Sequence, residues 1–412
     1  MKRKLYFWAK KYVNSENVKL VVLAVPLTFI LVQQVLGGEF DWTQFFDVSI
    51  LITFMLLAAC DGVVIFVQRK VAENTEDSAK LTDEYDKLAK KYKCTNLVRY
   101  QGVAYPEECL WLRKGTEEIV IQDNPEKFYG LPTQIAENSK EIMEAHSAST
   151  VYNQINIRLD DIEENIDNNE LTLHTSRTQY FDSLLTNRAC DYVFSDRKTT
   201  IRELYEPGPF LKPLSLSKLS NHLGFNGFVF TSDKKTIPFI LRKKNLSIAK
   251  NQWATSIGAS LKTMYALDYE HDFTMSEGSL GNAIVGEIKD ELHVTEDGAL
   301  NAENAKSSIF AFYRDLVEGG KPQFLFCLQL KDTTEDKLRK LIEGKKDSKA
   351  DKNDVTTDGD KVCFFSVEQL RNATYCVDKM VVEGKEYKMM PSSVVSVVLL
   401  LQYLDKVESK NR

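Results

Sequence analysis

Glu287, Asp290 and Glu291 are the residues of this 412-residue chain best spaced to do chemistry together. They lie in the segment 278–294, where Ile284, Ile288 and Leu292 recur every four residues. That spacing predicts a helix with one buried stripe, and i, i+3 and i+4 positions gather the three carboxylates beside it. Crowded acids repel unless something positive sits among them. Oxygen-only ligands on a rigid helix suit Mg²⁺, with Mn²⁺ as the alternative, joined by water and substrate phosphates. A solvated helix face shows the same spacing, so periodicity alone leaves both readings open. Two further groups draw attention. Arg242, Lys243 and Lys244 close an apolar run beginning at Ile237 and are either a local phosphate contact or a solvated strand end. Asp61 is the one acid in the apolar run 48–67, with Ala58 and Gly62 beside it as a small-xxx-small pair. An acid in such a run lines a seam between subunits, or else snorkels or bonds Thr28.

The elements that must position these groups follow from composition and pattern. The runs 20–37 and 48–67 each approach the roughly 20 apolar residues that cross a bilayer. Lys2, Arg3, Lys4, Lys10 and Lys11 precede the first, Arg69 and Lys70 follow the second, and Glu39 and Asp41 lie between. The positive-inside bias turns this into an expected two-helix transmembrane hairpin over 18–70, behind a cytoplasmic segment 1–17. Both termini are then cytoplasmic and the protein multi-pass in the inner or plasma membrane. A linker helix is expected over 71–95, where Leu81, Tyr85, Leu88 and Tyr92 form either a coiled-coil seam or a stripe packed on the same chain. With 53 basic and 59 acidic residues, the net charge of −6 offers no general attraction to nucleic-acid polymers. Seven scattered cysteines without a C-x-x-C pair fit reduced thiols and no familiar zinc spacing.

Residues 96–210 read as mixed structure: a strand over 117–122 ended by Asp123-Asn124-Pro125, and helices over 132–145 and 155–166. Glu206-Pro207-Gly208-Pro209 marks a boundary before a second soluble part, 211–412. There, strands are expected over 224–231, 237–242, 324–330, 362–367 and 375–382, and a surface loop over 341–361. The run 394–404 is too short to span a bilayer and is expected as a buried helix behind Pro391. His222 and His271 are proton carriers or, as lone histidines more often are, structural residues; Trp253 either stacks on a base or packs in the core.

The segment GEIKDELHV resembles the core of a Nudix box, G-x5-E-x7-R-E-U-x-E-E-x-G-U, with Glu287, Ile288, Asp290, Glu291 and Val294 in register. Residues 257–259 fall where a glycine-containing strand end precedes the box, and the resemblance covers about 214–404. Gly286 replaces the family's arginine, His293 its helix-ending glycine, and Glu277 stands one residue out of register with the upstream glutamate. The resemblance implies a cytoplasmic α+β, α-β-α Nudix-like domain in which Glu287, Asp290 and Glu291 hold the metal and Glu287 and Glu291 serve catalysis. Together with a two-span anchor, the chain resembles the two-transmembrane Nudix effectors of bacterial cyclic-oligonucleotide-based antiphage signalling. That implies a cyclic-nucleotide ligand, a lipid bilayer as partner, homo-oligomerisation and membrane disruption. The alternatives are a membrane-tethered Mg²⁺-dependent hydrolase of nucleoside-diphosphate-linked compounds and a catalytically inert scaffold.

Overall fold

The computed structural model describes residues 88, 91–92, 97–100, 103–106, 110–114, 117–144, 152–194, 199–243, 246, 249, 251–268, 273–344 and 359–410. The chain divides into two compact units, Met1–Ser78 with Met143–Ser149, and Ala79–Ile142 with Thr150–Arg412. Only the second is treated below, apart from the last two residues of one helix.

Along the chain, β1 (Leu97–Tyr100) and β2 (Val103–Pro106) form a hairpin, followed by β3 (Leu110–Leu112), β4 (Glu118–Phe128), α1 (Thr133–Glu137) and α2 (Ser139–Glu144). Then come β5 (Ile155–Asn165), β6 (Glu170–Gln179), α3 (Tyr180–Leu185) and α4 (Ile201–Tyr205). The second half opens with β7 (Gly224–Phe230), β8 (Thr236–Arg242), β9 (Trp253–Ala254), β10 (Ile257–Ser260), α5 (Thr263–Ala266), β11 (Leu267–Asp268) and β12 (Thr274–Met275). It continues through α6 (Ser279–Leu292), α7 (Ala302–Ser307), β13 (Ile309–Asp315), β14 (Lys321–Gln329) and α8 (Glu335–Gly344). The last elements are β15 (Gly359–Ser366), α9 (Val367–Asn372), β16 (Thr374–Cys376), β17 (Lys379–Val382), β18 (Lys385–Lys388) and α10 (Pro391–Lys410).

The central sheet runs β10-β7-β14-β13-β3, with β7 and β14 parallel and the other pairs antiparallel. Its strands are apolar on both faces, as a sheet covered on both sides must be. Phe225, Val229, Phe324, Phe326 and Phe312 join one core with Leu280, Ile284, Ile288 and Leu292 of α6. Phe228, Phe230, Phe310 and Leu325 join the other with residues 394 and 397–401 of α10. Gly227 is obligatory here, because a Cβ would lie 2.0 Å from the Phe326 ring. A second sheet, β4-β6-β5, contributes Ile119, Ile157, Leu159, Leu171 and Leu173 to the α6 side. Backbone bonds from Leu159 to Asn221 and from Leu223 to Ile157 stitch β5 to the entry of β7.

Several expectations are corrected. The expected fold class, a transmembrane hairpin joined to an α-β-α Nudix-like domain, gives way to mixed α/β architecture with many sheets. No helix among the described residues is long and apolar enough to cross a membrane. The multi-pass inner-membrane placement is corrected on the same finding. The longest apolar helix, α10, buries 397–401 in a core and ends in the mostly charged segment 405–410, tied at Asp405 and Glu408 by Arg371. The hairpin 18–70, with Ala58, Asp61 and Gly62, lies outside the described residues, as do Leu81, Tyr85 and residues 345–358. Tyr92 is described and buried at 2%, its hydroxyl donating to the Glu206 carbonyl at 2.8 Å, so this end of the stripe packs on its own chain.

The segment 155–166 is a strand, not a helix. A bulge between Leu159 and Asp161 changes the parity of β5, so alternating Ile157 and Leu159 are followed out of step by Ile162. Pattern reading mistakes that slip for helical spacing, while Ile155 and Ile166 are exposed at 43% and 79%. β4 does not stop at Pro125. It pairs with β6 to Asp123, loses register, and pairs again at Phe128, which an edge strand tolerates. Arg177 closes the irregularity with two 2.7 Å bonds to Asp123.

Candidate functional site

Helix α6 turns Leu280, Ile284, Ile288 and Leu292 into the core, which fixes where its acids stand. Glu287 shares the buried side at 1% exposure, while Asp290 and Glu291 are half-buried. A carboxylate so enclosed needs a positive partner. Lys262, from the strand-to-α5 corner, supplies it with Nζ at 2.6 Å from Glu287 Oε1. Three residues on, Tyr265 donates its hydroxyl to Asp290. Burial first, then that bond and the neighbouring Glu287 and Glu291, push the Tyr265 phenol above its ordinary range, so it remains a donor. The Lys262 ammonium also lies 5.6 Å from the centre of the Tyr265 ring.

Gly286 explains the fit. A Cβ at this position would come within 2.7 Å of the Tyr265 ring, so only glycine leaves that ring its place beside α6. The cation that pairs with Glu287 comes from Lys262, on another element. His293 ends α6 in the left-handed conformation at φ 58°.

The arrangement decides how well a divalent ion fits. An ammonium already neutralises Glu287, and Asp290 is engaged by a phenol. Among the described residues no three acidic, histidine or cysteine side chains gather as an ion-holding set. As arranged, these donors do not fit a resident Mg²⁺ or Mn²⁺, and no chemical step is derived through one.

The remaining candidates are placed elsewhere. Arg242 ends β8, opposite Gly359 of β15, and Lys243 follows it, whereas the acids stand on helix α6; Lys244 and His271 lie outside the described residues. Trp253 packs edge-on against Tyr387, a core role. His222 is fully buried beside Ser260 Oγ at 3.1 Å. Burial, with Lys321 and Arg188 nearby, holds it well below the usual histidine range, so it is a neutral structural residue. Lys262 and Tyr265 were not among the residues singled out from sequence. The one signal for them was Gly286, which implied both a missing cation and room for a bulky neighbour.

Near His222, burial and then Glu318 raise the Asp315 carboxyl to about 7. A group raised on folding stabilises fully below its unfolded value and loses that contribution as pH rises through the folded one. Asp315→Asn is therefore expected to remove about 2 kcal/mol of the stability that the parent loses between pH 5 and 7. Urea midpoints across that window check it; an unchanged slope would place the titration elsewhere.

Compared with known proteins, the chain matches no family model and no curated relative.

Proposed function

We propose that the second compact unit is a nucleotide sensor that recognises its ligand without cutting it. On this reading the protein responds to a cyclic nucleotide, as an effector in antiphage signalling would. The box register of Glu287, Asp290 and Glu291 supports descent from a phosphate-handling helix. The carrying observation is the Lys262–Glu287 pair, in which the protein's own cation neutralises the acid that a hydrolase keeps for metal. Catalysis by such enzymes needs the ion to polarise phosphate and lower the pKa of water. A tethered ammonium does neither at a comparable level.

Calorimetric titration of the full chain with linear and cyclic nucleotides, in Mg²⁺ and in EDTA, tests this. Binding of a nucleotide with an affinity that changes less than about twofold on chelation is expected, with no phosphate or nucleotide product after prolonged incubation. Metal-dependent product release that disappears in Glu287→Gln would make the protein a hydrolase. Absence of any nucleotide binding would remove the reading altogether.

A further inference from the structure

The β15 strand borders a cleft that also takes in residues of α8, α9, β17 and β18. In the three-stranded sheet β15-β8-β9, β15 is an edge, and among the described residues it pairs with no strand but β8. The cleft beside it has a volume of about 410 Å³, within the roughly 300–1,000 Å³ of small-molecule sites. Residues 362–365 all line it. Successive strand side chains point to opposite faces, so four consecutive residues line one cleft only when it sits against the strand's edge. The backbone N–H and C=O groups on that edge therefore face the cleft as a row of donors and acceptors.

Its walls differ in chemistry. On one side α8 brings Arg339, with its guanidinium 4.6 Å from the centre of the Phe364 ring. On the other, Lys385 of β18 stands 4.9 Å from the centre of the Tyr387 ring. Gln369 donates to Glu383 at 2.9 Å, and Arg339 pairs along its own helix with Glu335 at 2.9 Å and Glu343 at 3.9 Å. Burial raises the Cys363 thiol, while Lys385, Arg339 and Lys361 pull it back, so this strand lies in the field of nearby cations. Flat rings below, cations at the rim and a row of amide donors and acceptors along one side together match a heterocyclic base carrying phosphate.

We propose that this cleft, not the acid face of α6, is the nucleotide-binding pocket. The ligand class is a nucleoside phosphate, its base against the β15 edge and aromatic floor, its phosphate between Arg339 and Lys385. The inference rests on the sensor reading above for the identity of the ligand. Leu338 of α8 is buried in the same core as α6, and its neighbour Arg339 lines the cleft, so one short helix touches both places.

The full chain is titrated with adenosine monophosphate and with cyclic dinucleotides of adenine and guanine. Binding is measured in the parent and in Arg339→Ala with Lys385→Ala. Alkylation of Cys363 is followed in parallel by peptide mass spectrometry, with Cys376 as internal control. Expected are a loss of affinity of at least about tenfold in the double variant, and ligand protection of Cys363 but not Cys376. The rim cations are surface-exposed, and Arg339 is 39% exposed, so the double variant folds and its melting temperature serves as control. Binding that survives in the double variant without Cys363 protection overturns the pocket while leaving the sensor reading intact. No binding by the parent overturns both.

Discussion

Methionine at position 262 is expected to destabilise the protein by about 2–3 kcal/mol, because it leaves the Glu287 carboxylate buried without its cation. Removing one member of a buried pair costs about 3–5 kcal/mol, and Lys262 keeps 25% of its side chain in solvent, which places the loss below that range. The reverse change, Glu287→Gln, leaves an ammonium that can turn toward water, and about 1 kcal/mol is expected. This asymmetry, read from urea unfolding, is the check; equal losses would mean that the pair is not enclosed as described. The same Lys262→Met protein is expected to acquire a stabilisation by Mg²⁺ that the parent does not show, since a vacated acid face on α6 becomes free to hold a divalent ion. If Mg²⁺ shifts the parent and the variant alike, Lys262 is not the group that replaces the metal.

Alanine at Gly281 is expected to be more damaging still, at about 3–4 kcal/mol. Glycine to alanine inside a helix ordinarily gains about 1 kcal/mol. Here the added methyl would sit 1.9 Å from the carbonyl oxygen of Ala302, which is backbone and cannot swing aside. Ala302 is itself fixed at the start of α7, where the Asn301 side chain accepts from the Asn304 amide. The helices α6 and α7 would have to part, carrying Leu280 and Ala305 out of the core. Thermal unfolding measures the effect, and a variant as stable as the parent would refute this close approach. At Gly286, by contrast, the obstacle is a side chain, so alanine there is expected to displace Tyr265 at lower cost.

The acid helix was legible in the sequence because its four-residue apolar stripe is long and uninterrupted. The strands 224–231 and 237–242 were legible because a polar turn separates two apolar runs. What stayed hidden has specific causes. One bulge in β5 imitated helical spacing, and an edge position let β4 run on through Pro125. Lys262 reaches Glu287 only because the chain folds a corner at α5 back over α6, and no local pattern announces that. The membrane expectation rested on the first seventy residues, whereas the structure describes a mixed α/β unit without a helix fit to cross a bilayer. Arg242 and Lys243 were found where a strand ends, as read, but on a different element from the acids, which stand on helix α6.

The pairing of β3 with β13 sets a condition on synthesis. Residues 110–112 complete the central sheet about 200 positions before their partners 311–313 are made. During translation this early strand has no sheet to join, and Trp111, which ends edge-on against Phe312, stays uncovered until the later half emerges. The nascent protein therefore depends on whatever shields that segment, and a ribosome stalled before β13 would release an aggregation-prone chain.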